Sequence, residues 1–310
     1  MSKIIVTGGA GFIGSNLVDA LIKENHEVTV IDNLSTGSRE NLNSKATFFE
    51  TDITDYQALE EIFEKFRPET IFHLAAQASV IVSCQNPAKD VEVNVIGTIN
   101  LLQLAEKFEV KKFIFSSTGG AIYGDDAPRP TTEDAKERPA SPYGMDKLSA
   151  ERYIEFFAKR SSMTASCLRY ANVYGPRQNS KGEAGVIAIF IDRMLKNEPV
   201  HVYGDGSHTR DYVFVSDVVK ANLKAIEVDK GGTYNIGTGK ETTVNEIVEA
   251  LREEISTDSE IINTPYKSEE QAASSLDAKK ALNDLGWAPT IELEEGMKKV
   301  VEWFKNNTQK

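Results

Sequence analysis

The sequence predicts an α/β fold: a doubly wound parallel sheet with a smaller α/β unit toward its C-terminal end. Three observations lead there. Over the first 170 residues or so, short, near-continuous apolar runs alternate with helical patterns, as in sheets covered on both faces. A glycine-rich turn, "VTGGAGFIGSNL", stands between the first apolar run and the first helix. Beyond about residue 175 the alternation loosens into polar loops, short strands and amphipathic helices.

Taken in order, the strands are "KIIVTG", "EVTVID", "TFFETD", "TIFHLA", "KKFIFSST" and "TASCLRYANV". The helix after the first strand places Phe12, Leu17, Val18 and Leu21 on one side. A second, "DYQALEEIFEKF", starts with Asp55 near its N-terminus and stops before Pro68. Strand–helix–strand alternation implies right-handed crossovers. Residues 1–174 form the first domain and 175–310 mainly the second, with part of 209–237 returning to the first. The second contains a polar loop, "GPRQNSKGEAG", short strands in "NEPVHVYGDGSHTRDY", and the helices "TTVNEIVEALREEI" and "LEEGMKKVVEWFKNN". With no repeat or low-complexity linker between them, the two parts should pack closely and leave a ligand cleft.

Composition narrows the function classes. The 310 residues are 40% hydrophobic and 26% charged, ordinary for a globular protein. A net charge of −12 opposes general binding to nucleic acid or acidic membranes. No apolar run approaches the roughly 18 residues needed to span a bilayer, and the chain opens directly on "SKIIVTGG" without a leader pattern. A cytoplasmic protein is the expectation. Cys84 and Cys167 make no disulfide framework, and the four histidines (His26, His73, His201, His208) are scattered. No metal site is expected.

In the glycine-rich turn, Gly9, Gly11 and Gly14 satisfy G-x-G-x-x-G, while Gly8, Gly11 and Gly14 satisfy G-x-x-G-x-x-G. Such glycines let backbone approach a pyrophosphate at a helix N-terminus. The strand–turn–helix context is the required one. Asp32 ends the second strand, where a carboxylate accepts hydrogen bonds from an adenosine ribose and repels a 2′-phosphate. Together these features predict a Rossmann-type dinucleotide site that favours NAD over NADP.

"SPYGMDKLSA" sets Tyr143 and Lys147 four residues apart, on one face of a helix start. That spacing serves a catalytic phenol–amine pair, and equally an ordinary helix start with two amphipathic side chains.

The ordered set "TGGAGFIGS", "DNLSTG", "HLAAQASV", "FIFSSTGGAIYG", "SPYGMDK", "LRYANVYGPRQ" and "RDYVFVSDVV" resembles the extended short-chain dehydrogenase/reductase family. Within it the chain is most similar to the UDP-glucose (UDP-galactose) 4-epimerase group. The resemblance implies a catalytic Tyr143 and Lys147 with Thr118 as third member. It implies cofactor contacts at Gly8, Gly11, Phe12, Ile13 and Gly14, then at Asp32, Asn33, Asp52 and Ile53. Leu74, Ala75, Ala76, Asn94, Ser116 and Tyr170 complete that set beside Tyr143 and Lys147. Substrate contacts are implied at Thr118, Asn172, Val186, Tyr203, Arg210, Lys267 and Ser274. Lys147, with the positive nicotinamide of NAD, is expected to favour the Tyr143 phenolate, against a free-tyrosine pKa of about 10.

The implied activity is 4-epimerisation of a UDP-hexose through a transient 4-keto sugar, with UDP-N-acetylhexosamines as further substrates if the small Ser274 faces the sugar C2 substituent. Family dehydratases carry Asp-Glu after the active-site Thr, and family decarboxylases keep a Glu there; this chain has Gly119 and Gly120. Lys267 stands where many relatives have a diphosphate-binding Arg, which leaves Arg210 and Arg177 to share that charge. A UDP-glucuronate 4-epimerase or dTDP-sugar reductase is the alternative, and a non-catalytic NAD-binding regulator a more distant one. The family pattern also implies a homodimer, paired through the helix carrying Tyr143 and the one before the fifth strand.

Overall fold

The protein, seen here as a computed structural model, is described over residues 1–180, 185–265 and 271–307. The apolar runs become β1 (Lys3–Thr7), β2 (Glu27–Asp32), β3 (Thr47–Glu50), β4 (Thr70–His73), β5 (Lys112–Thr118) and β6 (Thr164–Tyr170). Further on come β7 (Asn172–Tyr174), β8 (Val200–Tyr203), β9 (Thr209–Arg210) and β10 (Tyr212–Phe214). The last are β11 (Gly232–Ile236), β12 (Thr242–Thr243) and β13 (Ile261–Thr264). Seven strands form one sheet in the order β11-β6-β5-β4-β1-β2-β3, every neighbouring pair parallel. The chain runs outward through β1, β2 and β3, then crosses to β4 and builds the other way. The reversal opens a crevice at the C-terminal ends of β1 and β4, where ligands bind in such sheets.

Helices cover both faces. They are α1 (Phe12–Lys23), α2 (Tyr56–Phe66), α3 (Val80–Gln85), α4 (Pro87–Val91), α5 (Gly97–Lys107), α6 (Gly119–Ile122) and α7 (Pro142–Arg160). A π-helical turn, Glu92–Ile96, joins α4 to α5. The start of α2 is fixed by the Asp55 carboxylate, which accepts from the Ala58 amide at 3.1 Å; its end is fixed by Arg67 in a left-handed conformation before Pro68. One face of the sheet buries Leu17, Val18 and Leu21 of α1, the other Leu59, Ile62 and Phe63 of α2 with Ile154 and Phe157 of α7.

The smaller unit has its own core, built from α8 (Val186–Leu195), α10 (Val244–Ile255) and α12 (Leu293–Asn307) with β8 and β10. A Thr243–Glu246 capping box starts α10. Between these, α9 (Val215–Glu227) packs on α1 and β11 pairs with β6, so this stretch belongs to the large sheet. The chain returns there once more: α11 (Lys279–Leu285) joins the core of the α1 face through Ala281 and Leu285, followed by Trp287. The Trp287 indole donates to the Asp217 carbonyl at 2.8 Å, and the Asp217 carboxylate accepts from the Thr290 and Ile291 amides. Among the described residues no helix is long and apolar enough to cross a membrane.

Candidate active site

The first loop of the sheet is shaped by what its glycines leave out. Gly8 has φ +71°, and a Cβ there would lie 2.6 Å from the Ala75 nitrogen; a Cβ on Gly14 would lie 2.1 Å from the Gly8 carbonyl oxygen. Both close approaches pack the loop and α1 against the sheet. A Cβ on Gly11 would meet only the Gly8 oxygen, at 3.2 Å, so its outer side is open. Gly11 caps α1, with no side chain on the free amides and no acid in the first turn. An unblocked, positively polarised helix end fits a pyrophosphate.

Asp32 is buried at the tip of β2, where its carboxylate accepts from the Ala10 amide at 3.0 Å and the Leu34 amide at 2.8 Å. A carboxylate has about four acceptor positions, so Asp32 both locks the glycine loop to β2 and retains capacity for a ribose. Asn33 donates to Asp52 at 2.7 Å. Burial pushes Asp52 up, but its hydrogen bonds from Thr54 and Asn33 more than offset this and leave it below the usual carboxylate range. Ile53 is buried beside it, with its carbonyl held by Asn100 at 3.1 Å.

From the ends of β4, β5 and β6 opens a cavity of about 1350 Å³. Of the residues singled out in the sequence, Phe12, Ile13, Leu74, Ala76, Ser116 and Tyr170 line it on the sheet side. Thr118, Tyr143 and Lys147 meet in it, and Asn172, Val186, Tyr203 and Arg210 line its far wall. Gly8, Gly11, Gly14, Asp32, Asn33, Asp52, Ile53 and Ala75 lie outside it, in and around the loops at the tips of β1–β4. Lys267 lies outside the described residues. Ser274 is buried and does not line the cavity; its amide donates to the Thr209 carbonyl, and the nearby Gln271 lines the wall instead. Arg177 is also off the cavity, its guanidinium paired with Asp19 of α1 at 2.6 Å.

Ser141 caps α7 by accepting from the Gly144 amide, and Pro142 stands at its first position. This places Tyr143 and Lys147 one turn apart over β5. The Tyr143 phenol hydrogen-bonds Thr118; burial and then Asp90 push its pKa up to about 12, with the Thr118 bond opposing. Lys147 is buried, its ammonium donating to the Ser116 carbonyl at 2.9 Å and sitting 4.6 Å over the Phe115 ring. Burial pushes it down to about 8, against the pull of Asp90 and Glu151. The expectation joins Lys147 to the positive nicotinamide of bound NAD; in the chain by itself one Lys147 N–H goes to the Ser116 carbonyl, and burial and Asp90 keep the phenol protonated.

Several supporting residues carry no sequence signal. Thr98 donates its proton to the Asn94 carbonyl at 2.7 Å, so the His73 Nε2–H must donate to Thr98 at 2.9 Å. Thr7 then donates to His73 Nδ1 at 2.8 Å while accepting from the Ala75 amide. This chain fixes one neutral tautomer, and burial and the Lys147 ammonium push His73 well below its ordinary pKa. Asn94, on the π-helical turn, clamps Gln77 by accepting from its amide at 3.0 Å and donating to its carbonyl at 2.9 Å. Gln77 in turn donates to Asp90. The family pattern marks Asn94; His73, Gln77 and Asp90 are brought together only by the fold.

After Thr118, a Cβ on Gly119 would meet the end of the Leu276 side chain at 2.4 Å, which would have to shift, whereas one on Gly120 would make ordinary contact with Asn172 at 3.7 Å. No side chain at 119 or 120 intrudes on the pocket.

The chain matches the NAD dependent epimerase/dehydratase family over residues 4–237. It is similar to the UDP-glucose 4-epimerase of Thermotoga maritima, solved with UDP-glucose: 52% identity, a TM-score of 0.97, and 98% and 99% of the two chains covered. The UDP-glucose 4-epimerase of Thermus thermophilus, in complex with NAD, is 41% identical, with a TM-score of 0.94 over 98% and 99% of the chains. A UDP-N-acetylglucosamine 4-epimerase from Methanobrevibacter ruminantium, in complex with UDP-N-acetylmuramic acid, is 35% identical, with a TM-score of 0.93 over 98% of each.

Proposed function

This chain belongs to the NAD dependent epimerase/dehydratase family, and we propose that it is a UDP-hexose 4-epimerase that uses NAD, interconverting UDP-glucose and UDP-galactose. The observation that carries this reading is the meeting of Thr118, Tyr143 and Lys147 in one cavity with Asn172 and Arg210, while glycine follows Thr118 twice. The chemistry that NAD would supply here is reversible hydride exchange at the sugar C4. Phe12, Ile13 and the open helix end of α1 would hold the dinucleotide, with Asp32 at its ribose. Tyr143, ionised beside the positive charge that oxidised NAD would bring, takes the proton of the sugar 4-hydroxyl onto its phenolic oxygen. Thr118, already bonded to that oxygen, orients the hydroxyl. The 4-keto sugar turns in the cavity and presents its opposite face for return of the hydride, and Tyr143 gives the proton back to the C4 oxygen. Arg210 supplies charge for the diphosphate against a net charge of −12.

Two coarser features complete the reading. Val91 and Ile96 near the π turn, and Met145, Tyr153 and Phe156 on α7, are exposed although these segments pack together; a second copy covering them gives a homodimer. Two free cysteines, one exposed, fit the reducing cytoplasm.

The test is a sugar-nucleotide panel of UDP-glucose, UDP-galactose, UDP-N-acetylglucosamine, UDP-glucuronate and a dTDP-sugar, followed by product chromatography without added reductant. The expected result is equilibration of the UDP-glucose pair with no net consumption of cofactor. Stoichiometric release of reduced nicotinamide, or turnover of the glucuronate alone, would overturn it.

A further inference from the structure

Two carboxyl groups beside the site are buried against each other. Asp90 on α4 is 1% exposed and Asp146 on α7 is 6% exposed. Asp90 Oδ1 accepts from the Gln77 amide nitrogen, but its Oδ2 is buried with no partner, and so is Oδ2 of Asp146. Asp146 sits between Tyr143 and Lys147 in the sequence of α7, which packs against α4, and its carboxyl group lies close enough to Asp90 for the two to interact.

The surrounding charges are already directed elsewhere. On α4 and the π turn, Lys89 pairs with Glu92 at 2.9 Å on the outside. On α7, Lys147 donates to the Ser116 carbonyl and Glu151 is bound by Arg169 from β6. His73 at the end of β4 is neutral in its threonine relay, and the Cys167 thiol of β6 is pushed up by burial. Among the described residues no cation is hydrogen-bonded to either carboxyl group, and the Lys147 ammonium acts on Asp90 only through space, so two ionised carboxylates side by side would repel in a medium that screens poorly.

We propose that Asp90 and Asp146 hold one proton between them, Asp146 as the neutral acid donating to the Asp90 carboxylate, and that this pair is a positioning device for Tyr143 and Lys147. A single O–H···O⁻ bond satisfies both orphaned oxygens and ties α4 to the first turns of α7. Through Gln77 and Asn94 the same bond is continuous with the loop at the cavity wall. The shared proton also limits the pair to one negative charge. One charge helps keep the buried Lys147 ammonium ionised. A second would add to the repulsion that already opposes ionisation of Tyr143. Burial and the Asp90 contact push Asp146 up to about 7, in line with an acid that keeps its proton near neutrality.

Asp146→Asn mimics the neutral donor and Asp146→Ala deletes it. At about pH 6, Asp146→Asn should keep kcat within roughly twofold of wild type, while Asp146→Ala should lose about tenfold or more, since it leaves the Asp90 carboxylate buried and unpaired. The ratio of wild-type to Asp146→Asn kcat/KM should fall as pH rises through about 7, where wild type gains its second charge. Equal losses in both variants, or a ratio flat with pH, would overturn the positioning role. This kinetic arm rests on the epimerase reading. A second arm does not: the infrared spectrum of the holoenzyme at about pH 6 should contain a protonated-carboxyl C=O band that is absent from Asp146→Asn. If that band is unchanged in the variant, the shared proton is wrong whatever the enzyme's substrate. Should Asp146→Asn fail to fold, Asp90→Asn gives the same infrared reading, because its amide then donates to an ionised Asp146.

Discussion

Burial and Asp90 hold the Tyr143 phenol protonated, and within the chain only the Thr118 hydrogen bond opposes them. The residue types in "SPYGMDK" made the pair legible, but not this balance, because Asp90 is distant in sequence and the Ser116 carbonyl that accepts the Lys147 hydrogen bond has no side-chain signature. A base that is protonated by itself needs the positive charge of a bound oxidised cofactor beside it. Tyr143→Phe should therefore lower kcat by about 10²–10⁴-fold, the ordinary worth of a general base, with NAD still bound as judged by its content in the purified protein. Near-normal turnover would make the pair structural. Asp146 gives a stability reading at the same scale. Its folded-state pKa is raised from 3.8 to about 7, so the folded state holds the proton over a range in which the unfolded chain has lost it. That contribution is fully present below the unfolded value and is lost as pH rises to about 7. The melting temperature of wild type minus that of Asp146→Asn should thus fall between pH 4 and pH 7 or so, then level off. A difference independent of pH would mean that Asp146 titrates normally.

At the level of elements, the glycine turn, α1, α2 and the six first strands follow from local pattern, since periodicity, the Asp55 cap and Pro68 act within a few residues. The π-helical turn does not: nothing in "EVNVI" announces the wider winding that carries Asn94 to Gln77. Nor could the histidine relay be read, because Thr7, His73 and Thr98 meet only when β1, β4 and α5 are assembled. The glycines of the turn separate two functions that the motif runs together. Gly14 serves packing, since a Cβ would strike the Gly8 oxygen at 2.1 Å. Gly11 has φ −79°, and a Cβ there would meet the Gly8 oxygen at 3.2 Å, so alanine suits its backbone with a shift of a few tenths of an ångström but covers the open helix end. Gly14→Ala should lose about 1–3 kcal/mol of stability along with NAD affinity. Gly11→Ala should melt close to wild type yet bind NAD clearly more weakly, measured by thermal unfolding and titration of cofactor-stripped protein. Equal melting temperatures for the two variants would refute this division of labour.

Across the whole molecule, the second unit is threaded through the first: β11 extends the large sheet, α9 lies on α1, and α11 with Trp287 returns to the same core. The expectation that part of 209–237 returns to the first domain rests on no local pattern, since the alternation loosens there; the return of α11 is not expected from the sequence at all, because "KKALNDLGW" is short and polar and its burial depends on Asp217 receiving the Trp287 loop. This threading accompanies a cavity that Tyr143 of the large unit and Arg210 of β9 both line. It also leaves the opposite side of α7 bare. Met145, Tyr153 and Phe156 are 50%, 42% and 54% exposed there, and Val91 and Ile96 are 40% and 45% exposed on the segment packed beside them. Isolated exposed apolar side chains are common, but five on two adjoining segments form a patch of the kind that covers itself in a symmetric pair. Those segments also carry Asp90, Tyr143 and Lys147, so an interface here would brace the active-site helix from behind. Phe156→Glu places a charge in the middle of that face. It should halve the molar mass seen by light scattering at micromolar protein, and lower kcat modestly while leaving the far-ultraviolet circular dichroism unchanged. A wild type that is already monomeric, or a variant that keeps the mass of a dimer, would show that the patch is not where two copies meet.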